Sequence, residues 1–238
     1  MNRVNQYTAL RQEAFEANME IPQRGLAIYT WGNVSAFDAK LGAFAIKPSG
    51  VPYDKLTADS MVVVDLDGKV IDGTLRPSSD TKTHLVLYRE FGGGAAINGI
   101  THTHSPYAVA WAQAHRELPV FGTTHADHGA QAVPCTPFMS EAAVRKDYEL
   151  ETGNMIVDTF KAEKKDPAHM SMILVAGHGP FTWGKSAADS VYHAAVLEEI
   201  CKMALLTLTL DPNAAPLPPH ITRKHWERKH GEAAYYGQ

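Results

Sequence analysis

Two histidines with one residue between them, in Ile100-Thr-His102-Thr-His104-Ser105-Pro106, restrict the possible folds of this chain more than any other segment does. Side chains on a strand alternate faces with a period of two, so His102 and His104 project to one side while Thr103 points away. Ser105-Pro106 then reads as a helix start, a capping residue before a first-turn proline, and Tyr107-Ala-Val-Ala-Trp111 continues it. The pair therefore stands at the carboxyl end of a strand that gives way to a helix, where open α/β sheets hold reactive groups. A third histidine, in Ala176-Gly-His178-Gly-Pro180, follows a compact apolar strand at 173–176, and Asp80 stands in Pro77-Ser-Ser-Asp80-Thr81. Three imidazoles and one carboxylate suit Zn2+, with Mn2+ or Co2+ as alternatives.

The remaining punctuation predicts an alternation without a regular βαβ rhythm. Helices are expected over 6–20, over 79–91 with Ser79-Asp80-Thr81 at the start and Gly92-Gly-Gly94 at the end, over 140–152, 154–163, 186–208 and 223–230. Strands are expected over 25–35 and 43–47, in a hairpin over 61–71 turning at Asp67-Gly68, and in a strand-and-turn region over 120–134. Such an order favours a mixed or antiparallel sheet with helices on both faces, in one domain covering 1–238.

Composition narrows the class. Hydrophobic residues at 45% and charged residues at 20% are those of an ordinary water-soluble protein. A net charge of -4 offers no general attraction for nucleic acid or an anionic membrane, so neither is an expected partner. No run approaches the roughly 18 apolar residues that a bilayer span needs, and Met1-Asn-Arg-Val-Asn-Gln lacks the apolar part of a signal peptide. The expected location is cytoplasmic. Cys135 and Cys201 are too few for a disulfide framework. Away from the metal-like spacing, His84, His115, His169, His193, His220 and His230 read as surface residues of helices or loops.

An ordered series of motifs carries a resemblance: Thr30-Trp-Gly-Asn-Val-Ser35, Ile46-Lys-Pro-Ser-Gly50, Pro77-Ser-Ser-Asp-Thr81, His102-Thr-His-Ser105, Gly122-Thr-Thr-His-Ala-Asp127, Gly177-His-Gly-Pro-Phe181 and Ala234-Tyr-Tyr-Gly-Gln238. In this order the chain resembles the class II aldolase and epimerase family. The resemblance implies a three-layer α/β/α sandwich around a mostly antiparallel sheet, a C4 homotetramer, and active sites at subunit interfaces. It implies Asp80, His102, His104 and His178 as metal ligands, in agreement with the grouping above. It also implies Asp127 and Tyr236 as the acid/base pair, although on local sequence Asp127 reads equally as a turn residue and Tyr236 as a tail anchor. Members similar to this chain carry aspartate at position 80 when they are epimerases and glutamate when they are aldolases. His128-Gly129 departs from the aromatic residues common there, and 92–96 reads as a slightly enlarged loop.

The implied substrate is a small sugar phosphate, and the implied reaction is inversion at C4 of L-ribulose 5-phosphate to give D-xylulose 5-phosphate. The alternative is a class II aldolase acting on a sugar phosphate such as L-fuculose 1-phosphate. The C4 hydrogen of a 2-ketose is not acidic, so inversion there calls for breaking and remaking the C3–C4 bond, with charge on the C2 and C3 oxygens stabilised by a divalent ion. Within the family pattern, Asn33, Lys47, Ser49, Gly50, Ser78, Ser79 and, at the edge of that set, Arg228 are expected to hold the phosphate. A lysine supplies a point charge, and hydroxyls and amides supply hydrogen bonds.

Overall fold

A computed structural model describes residues 6–92, 97–232 and 234–236. The expected loop at 92–96 lies outside the described residues apart from Gly92, as do Gly237 and Gln238 of the terminal motif. Seven strands form one sheet in the order β4-β3-β2-β1-β5-β7-β6: β1 (Asn33–Asp38), β2 (Ala43–Ile46), β3 (Val62–Asp65), β4 (Val70–Asp72), β5 (Gly99–His102), β6 (Met172–Val175) and β7 (Gly179–Gly184). Every neighbouring pair is antiparallel. The helices are α1 (Thr8–Gln23), α2 (Thr81–Phe91), α3 (Pro106–Gln113), α4 (Thr123–Ala126), α5 (Glu141–Glu163), α6 (Ala187–Leu210) and α7 (Pro219–His230). No described helix is long and apolar enough to cross a membrane.

Residue size decides which helices cover which face. On β1 to β3 the large residues Phe37, Phe44, Ile46, Val62 and Val64 join the core under α2 and α5. Their alternating neighbours Val34, Ala36, Ala43, Ala45 and Val63 join the core beneath α1 and the start of α6. Alanine leaves little side chain above the sheet, so α1 packs closely on β1 and β2. The three-layer sandwich anticipated from the resemblance is the observed architecture.

α6 approaches its strands more closely still. Gly99 of β5 pairs across the sheet with Gly184 of β7. A Cβ on Gly99 would lie 2.2 Å from the Ser186 carbonyl oxygen, and one on Gly184 would lie 2.5 Å from Asp189 Oδ2. Gly99→Ala is therefore expected to cost about 1–3 kcal/mol of stability through overpacking against backbone. Urea unfolding of the purified variant measures that cost, and an unchanged midpoint would refute the account.

Several sequence expectations are corrected. The strand expected over 25–35 begins only at Asn33, because Gly25, Tyr29 and Gly32 all take positive φ and break extended pairing. The region 120–134 holds the short helix α4 and a single bridge, Leu118 to Val133, instead of a strand. α5 is two helical stretches, as expected, but the break between them falls at Asp147 (φ -171, ψ 95) and not near Gly153. Gly153 is needed for packing, since a Cβ there would lie 2.7 Å from Val86 Cβ on α2. β7 was not anticipated: Gly179-Pro-Phe-Thr-Trp-Gly184 looks like a turn, yet Pro180 pairs only toward β6 and leaves the β5 ladder intact. α7 begins at Pro219, four residues earlier than expected.

Candidate metal centre and active site

The register of the three central strands assembles the site. Asn33 of β1 pairs with His102 of β5, which pairs with Phe181 of β7, so these residues form a row across the sheet. His102 stacks on Phe181 with ring centroids 4.3 Å apart. β5 ends at His102, and His104 lies two residues beyond it with its ring centroid 4.9 Å from that of His102; His178 sits in the turn joining β6 to β7. One ligand atom from each of His102, His104 and His178 lies within 4.8 Å of the others, and among the described residues this is the one such metal-competent group.

The chemistry of these rings fits a cation. His102 Nδ1 is 2.9 Å from the Pro180 carbonyl oxygen, which can only accept, so Nδ1 donates there and Nε2 is the nitrogen left to take an ion. Burial, reinforced by the charges of His102 and His104, lowers the His178 pKa to about 3. Burial and His102 likewise lower that of His104. Neutral imidazoles are the form that binds metal.

Asp80 caps the start of α2, but its side chain makes no capping bond and is left to face the histidines. Asn33 Nδ2 donates to Asp80 Oδ2 at 2.6 Å. Burial raises the Asp80 pKa, yet His102, His84, the Asn33 bond and His178 outweigh it and hold the carboxyl below its ordinary value. Asp80 lines the same cavity as the three histidines while standing outside their tight group.

That cavity, of about 500 Å³, also has Asn33, Lys47, Ser49, Gly50, Ser78 and Ser79 in its wall, so six of the seven expected phosphate residues converge on it. Lys47 is 2% exposed; its Nζ donates to the Thr30 carbonyl at 3.1 Å, and burial lowers its pKa to about 8. Asn33 Oδ1 is buried with no hydrogen-bond partner, an acceptor available to a donor in the cavity. Thr30, Trp31, Gly32 and Pro48 complete the wall; Trp31, whose ring lies 6.0 Å from that of His104, was passed over in the sequence although it belongs to the first motif. Tyr148 was also missed: the break at Asp147 precedes it, and its hydroxyl is 3.5 Å from His178 Nδ1.

Arg228, Asp127 and Tyr236 form a second cluster, and none of them lines that cavity. Asp127, at the end of α4, accepts from Arg228 Nε at 2.9 Å and Nη2 at 2.6 Å, and lies 3.0 Å from His225 Nδ1. Burial raises its pKa, but the bonds from Arg228 and His225 prevail and keep it below the usual carboxylate range. The Arg228 guanidinium lies 4.1 Å from the Tyr236 ring centroid. Arg228 thus spends its fork on a carboxylate and not, within one chain, on the expected phosphate pocket. His84, read as a surface residue, is instead fully buried on α2.

Fold and site together define a metal-competent α/β sandwich, and the chain belongs to the class II aldolase and adducin N-terminal domain family, matched over residues 12–205. Among curated relatives, it is 49% identical over 229 residues to the L-ribulose-5-phosphate 4-epimerase UlaF of Salmonella paratyphi C (strain RKS4594), covering 96% of this chain and 98% of that protein. The UlaF protein of Salmonella typhi is 48% identical over the same shares. Among solved structures, an L-fuculose 1-phosphate aldolase superposes with a TM-score of 0.77 at 22% identity, over 94% of this chain and 97% of its own. The L-fuculose-1-phosphate aldolase of Thermus thermophilus gives 0.62 at 23%, over 88% and 100%. At these identities the solved structures speak for the fold alone.

Proposed function

We propose that the protein is an isomerase that epimerises L-ribulose 5-phosphate at C4 to D-xylulose 5-phosphate, by cleaving the C3–C4 bond and rejoining the fragments. The observation that carries this is the meeting of three histidines, Asp80 and a lysine-and-serine cradle in one cavity, in a chain nearly half identical to proteins of that name. His102, His104 and His178, with Asp80 as fourth ligand, would hold a divalent ion, zinc by preference for this donor set. Bound there, the ion supplies Lewis-acid stabilisation of the negative charge that develops on the C2 and C3 oxygens.

The rest belongs to the side chains. Lys47, the hydroxyls of Ser49, Ser78 and Ser79, and the backbone at Gly50 bind the phosphate and keep the two-carbon fragment from leaving. Asn33 Oδ1 accepts from a substrate hydroxyl. Cleavage needs a base to take the C4 hydroxyl proton, and re-addition on the other face of the aldehyde needs an acid to return one. Asp127, held ionised by Arg228 and His225, suits the base, and the Tyr236 hydroxyl suits the acid. Both lie outside the cavity of their own chain, so a neighbouring copy in a homotetramer would supply them. Arg228 then acts on Asp127, setting its orientation and charge.

Incubation of the purified protein with L-ribulose 5-phosphate tests this reading: xylulose 5-phosphate is expected, and free glycolaldehyde phosphate as main product would overturn it in favour of an aldolase. A pH profile tests the cradle. Lys47 loses its charge as pH rises through about 8, so kcat/KM is expected to fall on the alkaline side near that value. Lys47→Met is expected to remove that limb and raise KM roughly 10- to 100-fold, the loss of one charged hydrogen bond.

A further inference from the structure

Among the described residues, Trp31 is the only tryptophan, tyrosine or phenylalanine in the wall of the cavity, and it is 51% exposed. The backbone beneath it is held from several sides. Lys47 Nζ donates to the Thr30 carbonyl at 3.1 Å, the Tyr53 hydroxyl donates to the Trp31 carbonyl at 2.7 Å, and the Trp31 N–H closes a turn on the Ile28 carbonyl at 3.0 Å. Gly32 has φ 72°, and a Cβ there would lie 2.9 Å from the His102 carbonyl oxygen, so the segment lies directly against the strand that ends at His102. Tyr29 also takes a left-handed φ, 55°, which a bulky residue adopts only where its surroundings impose it. Its ring meets the Trp31 indole edge-on, with centroids 6.3 Å apart.

The indole so presented stands between the two halves of the cavity. On one side Thr30 is tied to Lys47 of the phosphate cradle, and on the other the Trp31 ring lies 6.0 Å from that of His104. A ketose 5-phosphate with its phosphate in the cradle and its C2 and C3 oxygens at the histidines has C4 between them, beside Trp31. Once the C3–C4 bond is cut, C4 is an aldehyde carbon that must turn over before the bond is remade. A wall of hydrogen-bonding groups would favour one face of that aldehyde. The flat apolar face of an indole favours neither, yet it obstructs escape.

We propose that Trp31 is a specificity-determining residue: its indole walls in the two-carbon aldehyde while letting it rotate, so that the cut bond is remade with inversion and not left open. The inference rests on the epimerase reading and deepens it.

Trp31→Ala opens the wall. The aldehyde then leaves, and the proton taken from the C4 hydroxyl ends on C3 of the three-carbon fragment, so L-ribulose 5-phosphate is split into glycolaldehyde phosphate and dihydroxyacetone with no other reactant. The share of turnovers ending in free glycolaldehyde phosphate, measured against xylulose 5-phosphate by 31P NMR, is expected to rise at least about 10-fold in Trp31→Ala. It is expected to stay close to wild type in Trp31→Phe, which keeps a flat apolar ring. Metal content and melting temperature of both variants are expected to match the wild type, since the side chain is half exposed. Should the alanine variant not fold, Trp31→Leu takes its place, with leakage expected above that of Trp31→Phe. An unchanged product ratio in the smaller variant, or equal leakage from it and from Trp31→Phe, overturns the proposal. So does loss of all turnover in a folded, metal-loaded Trp31→Ala, because removing a wall does not stop bond cleavage. Failure of the wild-type protein to form xylulose 5-phosphate would instead overturn the epimerase reading beneath it.

Discussion

His178→Ala is expected to give a folded protein that retains no divalent ion and turns over at least about 10³-fold more slowly, the several kcal/mol that a Lewis acid contributes to such a transition state. The position favours a clean result. His178 lies in the β6–β7 turn and is only half-buried, so alanine there removes a ligand without opening the core. His102 is the harsher choice, because its ring also stacks on Phe181 and bonds to Pro180. Elemental analysis after dialysis, alongside a thermal melt and the epimerase assay, checks all three parts. Wild-type zinc retention by the variant, or full activity of the parent protein after exhaustive chelation, would contradict the assignment.

Asp127→Asn and Tyr236→Phe are expected to behave differently, lowering kcat by about 10² to 10⁴-fold with metal content unchanged. Their location adds a sharper test. If each active site joins the histidines of one copy to Asp127 and Tyr236 of another, mixed oligomers of Asp127→Asn and His178→Ala regain activity, since some interfaces contain two intact halves. Co-expression with distinct purification tags gives such mixtures. No recovery in verified mixed oligomers would refute the shared site. Asp127→Asn also removes the charge that Arg228 and His225 grip, so weaker docking of α7 is expected as a side effect, visible as faster amide exchange in 219–230.

The histidine cluster was legible in the sequence because strand periodicity is local: a spacing of two puts His102 and His104 on one side. Asp80 was legible because helix starts have a recognisable chemistry. His178 was found at the end of the strand that precedes it, but the strand that follows it was not, since a segment bracketed by glycines and carrying a proline gives a weak strand signal until a partner strand is known. The three-layer fold came from the family resemblance, while the residues themselves pointed only to a mixed or antiparallel sheet with helices on both faces. Tertiary geometry was out of reach. Nothing local distinguishes His84, which is buried, from His220, which is exposed, because burial depends on β1 lying across from α2. The pairing of Arg228 with Asp127 spans about a hundred positions of chain and was equally invisible. The helical stretch through Gly153 shows the same limit from the other side: Gly153 reads as a breaker until the close pass of Val86 explains it.

The two clusters are mounted on unlike supports. His102 belongs to a strand with partners on both edges, whereas Asp127 and Tyr236 depend on α4, α7 and the tail, tied together by Arg228, His225 and His230. A lineage built this way can change α4, α7 and the tail without disturbing the histidines. Remodelling of that periphery leaves the sheet that holds the cluster unaltered.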